Sequence, residues 1–154
     1  MRSELVARFV VAFAMFSLLA LAALAPCEAF FGNESFYALF RGVCHQRADR
    51  CFQLFGYPMA VCARCAFIYL GVAVGALSLP LMNERNRHYL LILLGVSAGL
   101  VGLDIACELV RLYDNVFATR AVSGFLLGLP MGAMGATALN ESLGKRFATP
   151  SKAT

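Results

Sequence analysis

Four apolar stretches, each long enough to cross a bilayer as a helix, constrain the fold of this 154-residue chain more than any other feature. The hydrocarbon core of a membrane takes about 20 apolar residues in helical form. The first stretch runs from Leu5 to Pro26, with Arg8 as its only charge, and the second from Pro58 to Met82, interrupted by Arg64. The third runs from Tyr89 to Tyr113 and carries Asp104, Glu108 and Arg111; the fourth, from Ala121 to Leu139, carries no charge. Composition agrees. The chain is 60% hydrophobic and 14% charged, whereas soluble domains run at about 45–50% and about 25%. This excludes an ordinary soluble globule, a disordered chain and a nucleic-acid-binding arm. The expected fold is all-α: one four-helix transmembrane bundle over residues 1–140, with a polar tail at 141–154.

The first stretch ends in Leu24-Ala25-Pro26, which invites comparison with a signal peptide. Its apolar run is longer than the usual 7–15 residues of such a leader, and Pro26 before Cys27 is a poor context for lipoprotein cleavage. It reads as an uncleaved span. Spans two and three are joined by a short connector, Asn83 to His88, and spans three and four by Asp114 to Arg120. Spans one and two are instead separated by about thirty residues, 27–57, a length that usually signals function or local structure. Within it, Ser35 opens a short segment in which Phe36, Leu39, Phe40 and Val43 form one apolar stripe at helical spacing, as expected of a helix lying on the bilayer surface.

Lys and Arg near span ends set orientation. With the N-terminus inside, the inner face holds Arg2, Arg8, Arg85, Arg87, Lys145, Arg146 and Lys152, and the outer face holds Arg41, Arg47, Arg50, Arg111 and Arg120. Seven against five favours cytoplasmic N- and C-termini in a multi-pass protein of the cytoplasmic membrane. Whichever way the chain lies, alternation of four spans brings the chemistry to one face. Cys44, His45, Cys51, Cys62 and Cys65 fall in the long connector or the start of span two, Asp104, Glu108 and Arg111 in the last third of span three, and Arg120 and Ser123 at the start of span four.

Span three carries a narrow polar stripe. At about 100° per residue, Asp104, Glu108, Arg111 and Asn115 fall within about 60° of one another. Charges at membrane depth face a bundle interior or a wet cavity and pair, so a structural ion pair of Glu108 with Arg111 or Arg120 is one reading. Asp104 is the deepest, about 14 Å from the span end at 1.5 Å per residue. With no basic residue one turn further in, it is the best candidate of this group for perturbed titration and a functional role.

In span two, Pro58 suits a helix start. Cys62 and Cys65 then share one helix face with Tyr69, while Arg64 points away and reads as snorkelling to the headgroups. The cysteine–histidine set has three readings. Cys44, His45, Cys62 and Cys65 make a Cys3His metal set, most naturally for zinc, provided the chain turns at the adjacent Cys44 and His45. Alternatively Cys62 and Cys65 form a redox dithiol, with Cys44 and Cys51 as a second pair and a quinone as partner. Cys27 and Cys107 fit the bland reading, small apolar fillers. Glycine pairs at four-residue spacing, Gly71 and Gly75, Gly95 and Gly99, and Gly124, Gly128 and Gly132, allow close helix approach, and Pro130 invites a kink in span four.

The run Cys44-His45-Gln46, then Arg50, Phe55-Gly56-Tyr57, Val61-Cys62-Ala63-Arg64-Cys65 and Ile68-Tyr69-Leu70-Gly71 resembles a small prokaryotic membrane-protein family catalogued as domain of unknown function 2085. Asp104, Asn115, Arg120 and Gly124 are similar to its later pattern, so the resemblance covers residues 36–135. Family members usually place Ser where this chain has Cys51, and often Gly where it has Ile105. The resemblance thus implies that Cys51 is no required partner and leaves Cys44, His45, Cys62 and Cys65 as the metal set. Gln46, Arg50, Arg64, Tyr69, Arg111, Asn115 and Arg120 are then supporting polar groups. The resemblance implies no activity. Three functions stay open: a zinc site whose fourth position, if His45 leaves it, lets Asp104 or Glu108 activate a water for chemistry on a lipid or other membrane substrate; a quinone-coupled thiol oxidoreductase; or a homodimeric transporter of ions or small solutes using Asp104 and Glu108.

Overall fold

A computed structural model of the chain describes residues 2–81, 85–110 and 117–147. Helix α1 spans Arg2–Phe30, the short α2 spans Ser35–Phe40, α3 spans Ala63–Ser78, α4 spans Arg87–Leu109 and α5 spans Phe117–Phe147. Between α2 and α3 a 3-10 turn, Ala48–Arg50, leads into strands β1, Cys51–Leu54, and β2, Tyr57–Cys62. The protein is mostly helical, but the expected all-α class is corrected by this antiparallel hairpin.

Among the described residues, three helices are long and apolar enough to cross a membrane, over Ser3–Phe30, Arg87–Leu109 and Phe117–Lys145. α3 is an apolar helix of 16 residues. The expected second span, Pro58 to Met82, is therefore not one helix: its first five residues are strand. Pro58 lies in β2 opposite Gln53, not at a helix start. The hairpin closes through Phe55 and Gly56, whose φ angles of 54° and 82° give a two-residue turn matched to the strands' own twist. Met59, Ala60 and Val61 of β2 are buried with Ala22 and Ala25 of α1. Extended backbone at such a place is tolerated because protein, not lipid, surrounds it.

The bundle is built inside out. Its buried positions are mostly small, with Ala7, Ala12, Ala22 and Ala25 on α1, Ala63, Ala66, Ala73 and Ala76 on α3, and Ala121, Ala133 and Ala136 on α5. Large side chains such as Phe9, Phe13, Leu91, Ile92 and Leu103 face outward. Lipid gives no hydrophobic incentive for helices to associate, so backbones must come close. α3 and α5 come closest. A Cβ on Gly71 would lie 2.4 Å from the Phe125 carbonyl oxygen, on Gly128 2.4 Å from that of Ile68, and on Gly132 2.1 Å from that of Val72. By contrast Gly95, Gly99 and Gly102 of α4 have nothing within 4 Å of such an atom, so the expected glycine seam holds for α3 and α5 only. Pro130 is fully buried within the continuous helix α5.

α3 ends where Leu79 precedes Pro80, a residue before which helical backbone is disfavoured. A helix leaves its last carbonyls without partners, and Arg8 of α1 supplies them: its Nη1 donates to the carbonyls of Ala76, Leu77 and Leu79 at 3.1, 3.2 and 2.9 Å. At the other end of α1, Glu28 accepts a bond of 3.0 Å from the Phe36 amide and so sets the start of α2. The apolar stripe expected there is divided: Phe40 is buried and Phe36 partly so, but Leu39 and Val43 are exposed.

A candidate metal centre beside a buried ion-pair network

Cys44 ends the short segment after α2, where its amide donates 3.0 Å to the Phe40 carbonyl. Its buried side chain reaches β2: the Cys62 amide donates to Cys44 Sγ at 3.2 Å. Cys62 is the N-cap of α3, with extended backbone at φ −70° and ψ 162°. Cys65 is the third residue of that helix. Cys62 is thus the residue just before the helix and not within it, but the two side chains do face the same way, as expected. The Sγ atoms of Cys44, Cys62 and Cys65 all lie within 4.8 Å of one another. Sulfurs sharing one zinc at about 2.3 Å each stand roughly 3.8 Å apart, so the donor set fits a metal with small movement.

Hydrogen bonds from Cys62 and then Cys65 hold the Cys44 thiol well below the ordinary thiol range, against the opposing effect of burial. A thiolate is what a metal requires. Cys51 faces Cys62 across the hairpin. Burial, followed by the charges of Cys44 and Cys62, pushes it up to about 12, so it stays a protonated thiol outside the cluster. Tyr69 packs against the same core as Cys44 and Cys65.

The chain does turn after Cys44, as a second ligand there requires, since Gln46 has φ 51°. Gln46 fixes that turn by donating 2.7 Å to the Tyr37 carbonyl, and the Tyr37 hydroxyl donates to the Pro58 carbonyl of β2. His45 nonetheless stays exposed, and its ring nitrogens are outside the cluster of donor atoms. It lines, with Cys44, Gln46, Arg50, Cys62 and Cys65, a cleft of about 330 Å³ over the sulfurs. Neighbouring residues on the turn diverge, so the imidazole reaches the cleft rather than the cluster.

The acidic stripe meets this cleft through arginines. Arg64, between the two cysteines, pairs with the buried Asp104 of α4. The expectation that Arg64 snorkels to headgroups is corrected: a carboxylate across the bundle offers a better site than the interface. Glu108 pairs with Arg50 from the connector and, at 2.8 Å, with Arg120 of α5. The Glu108–Arg120 bridge is the structural pair anticipated above. Asp104 and Glu108 themselves do not line the thiol cleft, so the expected direct activation of a water there is replaced by contact through Arg64 and Arg50. The expected contributions of Arg111 and Asn115 lie outside the described residues. Sequence reasoning missed the hairpin, for which Phe55-Gly56 between Phe52-Gln53-Leu54 and Tyr57-Pro58-Met59 was the available signal, and it missed the cap supplied by Arg8.

A buried connector cysteine, a Cys-x-x-Cys at the head of an apolar helix, and an arginine–aspartate pair tying that helix to its neighbour mark a small membrane protein with a cluster of three thiols. The family model for predicted membrane proteins of domain of unknown function 2085 matches residues 44–134, and the chain belongs to that family. It is also similar to the uncharacterised protein MJ1492 of Methanocaldococcus jannaschii, 35% identical over 120 residues, 68% of this chain and 74% of the archaeal one. No solved structure matches.

Proposed function

We propose that the protein is a four-pass membrane protein carrying a zinc centre at one membrane face, with Cys44, Cys62 and Cys65 as thiolate ligands. The convergence of three sulfurs from separate segments is the observation that supports it. In this reading α3, extended by β2, makes the fourth crossing, α2 lies at the surface, and the Lys and Arg distribution puts both termini in the cytoplasm. Bound zinc supplies a Lewis acid at a position open to the cleft. Arg50 and Arg64 line that cleft and orient polar substrate groups. His45 serves either as fourth ligand or as the group that holds and moves a proton there. Asp104 and Glu108 hold the arginines in place.

Metal analysis of the purified protein tests this. About one equivalent of zinc is expected, lost in Cys44→Ser, Cys62→Ser and Cys65→Ser and retained in Cys51→Ser. Loss of metal under mild chelation in His45→Ala but not in the parent chain would make His45 the fourth ligand. Metal-free protein with a Cys62–Cys65 disulfide would overturn the reading in favour of a thiol–disulfide oxidoreductase. The convergence of the Cys62 and Cys65 sulfurs at the head of α3 supports that second function. There two thiols would give two electrons and two protons to a quinone.

A further inference from the structure

Cys62 belongs to two structures. It is the last residue of β2 and the N-cap of α3, so it ends the hairpin and also enters the thiol cluster. Its partner across the hairpin is Cys51, the first residue of β1. Both have extended backbone, with φ −104° and ψ 152° at Cys51 and φ −70° and ψ 162° at Cys62. Residues directly opposite in an antiparallel pair stand about 4.5 or 5.5 Å apart at Cα, with their side chains on one face. A disulfide spans about 4.4–6.8 Å between Cα atoms, so either spacing admits a bond between these two cysteines without moving the backbone. The irregularity of the ladder lies to one side of the pair, between Cys51 and Gln53.

The two thiols differ in access. Cys62 is half-buried and lines the cleft over the sulfurs, whereas Cys51 is buried and does not line it. A small polar oxidant in the cleft therefore reaches Cys62 but not Cys51. Hydrogen peroxide is such an oxidant, and the pair is placed to complete its reduction. The Cys62 thiolate attacks one peroxide oxygen, the O–O bond breaks, and hydroxide leaves behind a sulfenic acid. The Cys51 sulfur then forms the S–S bond as the S–O bond breaks, and its proton departs with the sulfenic hydroxyl as water. The two cysteines lose two electrons, and the peroxide takes them up as hydroxide and water. A sulfur in a disulfide is no longer the thiolate that a metal binds, so the bond takes one of three donors out of the cluster.

We propose that Cys51 and Cys62 form a site of reversible oxidation by small peroxides, whose disulfide withdraws Cys62 from the thiol cluster. The hairpin thus gives Cys51 a different partner from the Cys44 considered in the sequence. The bond follows from the hairpin alone. That it releases zinc rests on the metal-centre reading, and the orientation proposed there puts the connector on the side away from the cytoplasm, where disulfides form and persist.

The test treats the full-length protein in phosphatidylcholine nanodiscs with hydrogen peroxide. Non-reducing peptide mapping by mass spectrometry locates disulfides, and a chromogenic chelator reads zinc release. A Cys51–Cys62 linkage is expected to form together with loss of zinc, and dithiothreitol followed by added zinc should restore both thiols and metal. Cys51→Ser keeps the three clustered thiols. It is expected to bind zinc as the parent does, to form no such linkage, and to lose the zinc release that dithiothreitol reverses. Cys51→Ala should behave alike. A Cys62–Cys65 or Cys44–Cys51 linkage as the main product in the parent chain, or release equally reversible in Cys51→Ser, would overturn the proposal. The Cys51–Cys62 linkage formed in protein that never held zinc rejects the metal reading alone. Zinc held and then released with no linkage at Cys51 rejects the oxidation site alone.

Discussion

Four cysteines surround the hairpin of this protein, and their surroundings divide them three to one. Cys44, Cys62 and Cys65 converge, while Cys51 sits across the strand pair from Cys62 as a buried, protonated thiol pushed up to about 12. Below its pKa the thiolate fraction of such a group rises about tenfold per pH unit. Alkylation of Cys51 by iodoacetamide is therefore expected to be slow at pH 8 and to keep accelerating through pH 10; a rate that levels near pH 8.5 would show an ordinary thiol. The cluster was legible in the sequence because Cys-x-x-Cys spacing has few structural meanings. The place of His45 was not, because one backbone angle, that of Gln46, decides whether adjacent side chains share a target. Arg64 was misread for a related reason: on a regular helix it points away from the cysteines, and its partner lies 40 residues on.

At the scale of elements, small residues do the packing, and context separates glycines that matter from those that do not. A methyl group on Gly132 would collide with the Val72 carbonyl, whereas one on Gly99 meets nothing. Gly132→Ala is expected to destabilise the protein by about 1–3 kcal/mol through overpacking. Gly99→Ala should be neutral or stabilising by up to about 1 kcal/mol from helix propensity. Unfolding in a graded detergent mixture compares them, and equal effects would place the seam elsewhere. Apolar run length made the long helices readable in the sequence, and four-residue spacing marked the glycines. Spacing could not show which glycines face a neighbour. Nor could hydropathy reveal that Pro58 to Cys62 is strand, since a buried strand and a buried helix segment are equally apolar.

For the whole molecule, ion pairs gathered in the last six residues of α4 tie it to the rest; among the described residues these include Arg64–Asp104, Arg50–Glu108 and Arg120–Glu108. Removing one member of a buried pair leaves an uncompensated charge, at a cost of about 3–5 kcal/mol, whereas replacing both with apolar groups is often close to neutral. Asp104→Leu alone should therefore destabilise more than Asp104→Leu combined with Arg64→Met, a double-mutant cycle that unfolding measurements close; additive losses would show that the two residues are not coupled. Arg64 also lends its backbone to another duty. Its carbonyl oxygen is where a Cβ on Gly124 would collide, at 2.4 Å. One residue thus belongs to three things at once: the bite between two sulfurs, the seam with α5 and the tether on α4. A pull on the tether therefore reaches the backbone between the two sulfurs, so a change that loosens Asp104 is expected to disturb the spacing of Cys62 and Cys65.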